Sequence, residues 1–468
     1  MDPLLLVAIA AGAIAILLFT VIRLKWPAFV SLLVVAVLTA LAGGVAVQDV
    51  IPLMIEGMGG TLGSVALLVG LGAMLGGIIE RTGGAEVIAR AAARALGEKR
   101  LEQALLLSSG LVAIPIFFDV AFIILVPIIF AFAKAAGHRG PVAIGMPVAV
   151  FMVFIHNTVP PHPGVVGSTT LLGQDLMGLV TLSGIVLAIP MGLLVHLLGR
   201  RITSRAFALS TEIEEKYDGA GAASLDDHGA GEGAATGQSD DRPVGRPSAP
   251  LVITLILLPI LLIAIGTVGS LVVPEGSTAA NVVSFLGAPA FALLVATLSA
   301  MYLMGLRHGW GREQISEVMD GALGPAAIVI LVTGAGGVFA KVLTETGVGD
   351  AVSGLLLEAG VPILLLAFLV ALAFKVAQGS GTVATLSAAG IVQGTVLGGD
   401  YSSMQIVLII LAIGLGSLSL SHINDSGFWI ATKFLGLSVA DGLRTWTVMT
   451  TVLGFSSMVL LSLAWLVV

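Results

Sequence analysis

Two short polar stretches break otherwise continuous apolar sequence near the ends of the two halves of this chain. They are His156-Asn157-Thr158-Val159-Pro160-Pro161-His162-Pro163-Gly164 and Ser421-His422-Ile423-Asn424-Asp425-Ser426-Gly427. Hydrocarbon offers no partner to an exposed peptide group or a charge, so such sequence survives there only where it lines a cavity within protein. Paired interruptions in corresponding positions of two halves mark the substrate site of a secondary transporter. The pattern therefore predicts an all-α polytopic membrane protein built for transport.

Composition agrees. Hydrophobic residues fill 57% of 468 positions and charged residues only 10%, which excludes an ordinary soluble domain. Most of the 60 glycines lie inside apolar segments, where they serve close helix packing and broken helices better than flexible coil. Cysteine is absent, so disulfides, thiolate metal sites and cysteine nucleophiles are excluded. The partner expected is the lipid bilayer, with no metal, cofactor or nucleic acid. Segment 4–22 lacks a basic start and a small-residue cleavage pattern, so it is expected to be a span rather than a signal peptide.

A crossing takes about 20 largely apolar residues. That criterion predicts full spans near 4–22, 27–46, 60–79, 141–171, 177–198, 250–272, 282–305, 322–343, 403–436 and 446–466. Stretches 103–133 and 361–396 are longer than one span and carry Asp119 and the run Lys375–Thr382 at their centres. Each is predicted to be a re-entrant hairpin. On that reading the loops carrying Arg23, Lys25, Arg81, Arg90, Lys134, Arg139, Arg200, Arg201, Arg307 and Arg312 share one face. That face is expected to be cytoplasmic, with both termini outside. Residues 1–205 and 250–468 form two transmembrane halves. Between them, 206–249 reads as a flexible cytoplasmic linker whose polar stretch from about Thr211 cannot bury apolar surface.

An internal repeat links the halves. Gly70, Gly72, Thr82, Gly83 and Glu86 fall opposite Gly334, Gly336, Thr346, Gly347 and Asp350 at a constant shift. Downstream, each copy continues through a long apolar stretch with a polar centre and then a broken span. An odd number of crossings separates the copies, so inverted repeats are expected.

A broken helix bares N–H groups at one half-helix start and carbonyls at the other half-helix end. Pro160, Pro161 and Pro163 keep the first break from closing into regular helix. Asn157, Thr158, Asn424 and Ser426 offer neutral donors and acceptors suited to a polyhydroxylated solute; the plainer reading is that they cap kinked helices. Lys375 is a natural counter-charge for a substrate carboxylate, or else the partner of Asp119 or Asp425 in an internal ion pair. Asp119, Asp425, His156 and His422 are the candidate proton carriers; the two histidines also count among the expected substrate-binding residues, or could equally be hydrogen-bonded structural residues. Gln378, Ser380 and Thr382, with their glycine neighbours, form a small-residue tip able to hold an anion.

The segments FFDVAFIILVPI (117–128), HNTVPPHPG (156–164), FKVAQGSGTVA (374–384) and SHINDSGFWI with LRTWTVMTT (421–451) resemble the gluconate permease (GntP) family of proton-coupled bacterial sugar-acid symporters. The resemblance covers essentially the whole chain. It implies uptake of gluconate or a related aldonate with protons across the bacterial inner membrane. It also implies an elevator-type ion-transporter fold, a scaffold with a transport domain of hairpins and broken helices, and a homodimer. The polar 211–249 stretch and the additional His162 depart from the family pattern. Sodium coupling is the nearest alternative, since unwound carbonyls with Asn and Thr also suit sodium. An intramembrane hydrolase using Ser421, His422 and Asp425 would need convergent geometry that adjacent positions rarely provide, and a channel accounts less well for paired broken helices.

Overall fold

The computed structural model describes residues 2–97, 100–203, 205–219, 247–274, 277–349, 351, 354–355, 360–423 and 425–468. Every regular element among them is helical. In the first half these are α1 (Pro3–Leu18), α2 (Ala28–Ala42), α3 (Val47–Arg81), α4 (Gly84–Leu96), α5 (Leu101–Val112), α6 (Phe118–Ala135), α7 (Val142–Thr158), α8 (Pro163–Gly173) and α9 (Met177–Ile202). A short α10 (Thr211–Gly219) precedes α11 (Ala249–Val272), α12 (Thr278–Gly287), α13 (Pro289–Ala300) and α14 (Arg312–Glu345). The last quarter holds α15 (Ile363–Gln378), α16 (Gly381–Gly398), α17 (Ser403–Leu418), α18 (Ser426–Phe434), α19 (Val439–Gly442) and α20 (Val448–Trp465). Among the described residues, seven helical runs are long and apolar enough to cross a membrane, joined by shorter apolar helices.

The most extensive helix packing joins α3 and α14, of 35 and 34 residues. At 1.5 Å per residue each is about 50 Å long, well beyond the roughly 30 Å hydrocarbon layer. The expected spans 60–79 and 322–343 are only parts of them. Gly57 lies against Val338 and Lys341, whereas Gly77 lies against Val318 and Ala322, so the two helices run antiparallel. A Cβ on Gly57 would come 2.8 Å from that of Lys341, and glycine is what permits this approach. Lys341 then bridges the pair, contacting Glu56 at 2.9 Å and its own-helix neighbour Glu345 at 2.7 Å. Both helices finish alike: Thr82 and Thr346 end them, and Gly83 and Gly347 follow at φ +72° and +71°.

Interruptions fall where apolar sequence turns polar or proline-rich. Helix α7 stops at Thr158, and α8 begins at Pro163 after a segment containing the cis Pro160-Pro161 bond. Residues 419–425 separate α17 from α18, 113–117 separate α5 from α6, and Gly379-Ser380 alone divides α15 from α16. Gly379 adopts φ +86°, the left-handed geometry that lets its N–H cap α15 at the Lys375 carbonyl. Ser380 then caps the start of α16.

The stretch after Thr211 departs from the expected polar tether at its beginning. Helix α10 is amphipathic enough to bury Ile213 and Tyr217 against the helical body. Residues 220–246, the remainder of the expected linker, lie outside the described residues.

Candidate functional site

All four interruptions converge. The Ser417 hydroxyl at the end of α17 donates to the Asn157 side-chain oxygen in the last turn of α7, at 2.8 Å. Gly164 at the start of α8 faces Thr382 and Thr385 at the start of α16. The His156 Nε2 donates to the Ile116 carbonyl (2.8 Å) in the turn before α6. Phe118, the first residue of α6, lies beside Trp446 with the rings tilted and their centres 5.9 Å apart. Residues distant in sequence are thus brought to a single locus by helix ends.

At its core is a buried ion pair. Lys375 and Asp425 are 4% and 8% exposed, and Lys375 Nζ donates to Asp425 Oδ2 at 2.7 Å. Lys375 also donates to the Gly379 carbonyl at 2.7 Å. Asp425 is well supplied: Oδ2 accepts from the Ser421 hydroxyl as well, and Oδ1 accepts from the Gly427 N–H at 3.0 Å, capping α18. The Ser421 oxygen in turn accepts from the Trp446 indole N–H at 2.6 Å, and Thr447 Oγ1 donates to the Ser421 carbonyl at 2.6 Å. Trp446 and Thr447 both sit in a wide π-helical turn, Leu443–Thr447, that leads into α20. Such turns re-aim side chains that a regular helix would point elsewhere. A buried charge pair persists when its remaining lone pairs and protons are satisfied in this way.

The other sequence-predicted residues divide into two groups. Asn157 and Thr158 are buried and committed: Asn157 Nδ2 donates to the Val153 carbonyl and Thr158 Oγ1 to that of Phe154, each at 2.8 Å. His156 is likewise buried against Ile116. His156 and Asn157 thereby join α7 to the turn before α6 and to α17, while the Thr158 bond stays within α7. Ser380 and Thr382 are half-buried at the start of α16, and Ser426 is exposed at the start of α18. His422 is half-buried, with Nε2 3.2 Å from the Val376 carbonyl. Asp119 is exposed on the first turn of α6, near enough to Asp425 for their charges to interact. Asn424 and the side chain of Gln378 lie outside the described residues.

Four contributors escaped the site expectations drawn from sequence. Ser417, Trp446 and Thr447 were not assigned, and Ser421 entered only as a hydrolase candidate. The hydrolase arrangement does not form, because the Ser421 hydroxyl contacts Asp425 and Trp446 while His422 reaches the Val376 carbonyl. His162 adds an unassigned ring, 5.1 Å from that of His156, whose buried Nδ1 has no hydrogen-bond partner. The only sequence signal for Trp446 was an indole flanked by threonines inside an apolar run.

Long apolar helices interrupted at a shared buried polar locus define a multi-pass membrane transport protein. The profile of the GntP family permeases matches residues 4–467, and the chain belongs to that family, which makes it a transporter and not an enzyme. It is 45% identical over 468 residues, the full length of both chains, to the inner membrane permease YgbN of Escherichia coli (strain K12). Identity to the gluconate permease of Pseudomonas aeruginosa is 34% over 453 residues, covering 96% of this chain and 95% of that one. The L-idonate transporter of the Gnt-II system of Escherichia coli (strain K12) is 32% identical over 448 residues, 96% of each chain. Among solved structures, the Alcanivorax borkumensis YdaH transporter shares the fold with TM-score 0.59 at 15% identity, over 89% of each chain. Neisseria gonorrhoeae MtrF does so with TM-score 0.59 at 12% identity, over 92% of this chain and 94% of that one.

Proposed function

We propose that this protein carries gluconate or a related sugar acid across the bacterial inner membrane together with a proton. The buried Lys375–Asp425 pair carries the proposal. A sugar acid needs a cation for its carboxylate, and here the cation is held by an internal carboxylate that the substrate can replace. While the pair is intact the site is neutral and offers nothing to an anion. A proton on Asp425 removes its charge and frees the Lys375 ammonium. The substrate carboxylate then takes the vacated position, and the loaded site is neutral again. One proton therefore accompanies each monovalent anion, and the cargo as a whole carries no net charge.

Hydroxyls of the substrate meet Ser380, Thr382, Ser426, His422 and the neighbouring Gln378 and Asn424, while Asp119 provides a second proton station beside Asp425. His156, Asn157 and Thr158 hold the first broken helix in position. The pairs α5–α6 and α15–α16 act as re-entrant hairpins, moving with the two broken helices as an elevator. The antiparallel run of α3 and α14, with their matching ends, supports inverted repeats.

The test is uptake of labelled gluconate by proteoliposomes under an inward proton gradient. Native protein should accumulate it, and Asp425→Asn should bind it yet ignore the gradient. Uptake that follows sodium at fixed pH would overturn the coupling, and absence of saturable gluconate uptake at any pH would overturn the substrate.

A further inference from the structure

Helix α10 spans the end of α6 and the segment just beyond α18, touching both. The Ser210 N–H donates to the Gly436 carbonyl (2.9 Å), just beyond α18. Gly436 stands at φ +73°, and a Cβ there would come 2.8 Å from that of Ile213, so Ile213 fills the hollow that this glycine leaves. On its other side α10 grips the end of α6. The Tyr217 hydroxyl donates to the His138 carbonyl at 2.8 Å, and its ring meets Phe130 edge-on at 5.8 Å. Lys134 Nζ caps α10 through the carbonyls of Tyr217 and Asp218, at 3.3 and 2.6 Å. His138 also contacts Glu102 at 2.9 Å, which ties the first turn of α5 to the same knot.

The opposite ends of α6 and α18 lie at the candidate site, where Phe118 packs beside Trp446 and Asp425 caps α18. Within the moving unit, a parting of α6 from α18 that extends to this end breaks the hold of α10, which is seated on both sides. We propose that α10 is a strap that holds the α5–α6 pair closed against α18 and releases when the site opens. This inference rests on the transport reading above.

The absence of cysteine makes the test direct. A single Ala121→Cys reporter, at a fully buried position on α6, reads its lifting through the rate of maleimide labelling. Trypsin cleavage after the exposed Lys216 reads release of α10 itself. In full-length protein in nanodiscs, Tyr217→Ala or Ile213→Asp should accelerate both, each on the order of tenfold for loss of one buried anchor. Fast cleavage with unchanged labelling in both variants overturns the strap. A second arm replaces Lys134 and Asp218 with cysteines and bridges them with a reducible bis-thiosulfonate. Bridging should abolish gluconate uptake and reduction should restore it; uptake undiminished by the bridge also overturns the proposal. If the unbridged pair takes up no gluconate, the substrate reading fails while the labelling rates still decide the strap.

Discussion

Replacing Lys375 by methionine should destabilise the protein far more than its loss of volume suggests. The two charges are 2.7 Å apart and nearly inaccessible to water. At an effective dielectric constant near 20, their attraction amounts to about 6 kcal/mol. Desolvation of both groups offsets much of that, so the intact pair adds little net stability. The single variant, however, leaves Asp425 buried and charged, with the Ser421 hydroxyl and the Gly427 N–H as its remaining donors among the described residues. Breaking one side of such a pair costs about 3–5 kcal/mol. Asp425→Leu should cost a similar amount, because it removes the carboxylate that neutralises the buried ammonium. The double variant Lys375→Met/Asp425→Leu removes both charges and should recover about 2–3 kcal/mol relative to the sum of the singles. Unfolding by SDS titration in mixed micelles, followed by tryptophan fluorescence, measures all three. Singles within 0.5 kcal/mol of native, or a strictly additive double, would refute the buried-pair argument; gluconate uptake should be absent in every case.

Trp446→Phe keeps a ring beside Phe118 but deletes the N–H bound to Ser421; about 1 kcal/mol of stability should go, with slower uptake, both read in the same assays. Gly379→Ala forces a side chain into φ +86° and should cost about 1–2 kcal/mol, whereas Gly398→Ala, with open space around its Cβ, should be near native on the SDS titration. Gly57→Val overpacks the α3–α14 crossing and should cost about 1–3 kcal/mol, visible as a lowered unfolding midpoint. On the proposed one-proton cycle the loaded site is neutral, so gluconate uptake at a fixed pH gradient should not respond to a potassium-diffusion potential set with valinomycin.

The helix breaks could be located from sequence because their causes are local. Proline removes a donor wherever it stands, and a charge or amide inside a hydrophobic run is expensive in any fold. The lengths of α3 and α14 could not be read in that way. Gln48, Asp49 and Glu56 are too polar for a hydropathy criterion, yet 47–59 continues the helix, with Glu56 paired to Lys341 from the other half. The start of the linker was under-read for a related reason. Ile213 and Tyr217 are only two apolar residues in a polar stretch, and the seats that receive them come from Gly436 and Phe130.

Within the site, residue chemistry was local information and partnership was not. That Lys375 must find a counter-charge follows from its place in an apolar segment, and Asp425 was among the partners anticipated. That the partner is Asp425 rather than Asp119 depends on how α15 and α18 meet. Likewise an amide at Asn157 promises donors and acceptors in any environment, but its commitment to Ser417, 260 residues away, depends on how α7 packs against α17. Periodicity, proline and the cost of polar groups in hydrocarbon act over a few residues, so the linear order of helices and breaks carries them in full. Which half-helices face one another is settled by long-range packing through glycine contacts and buried hydrogen bonds, whose partners no local pattern specifies.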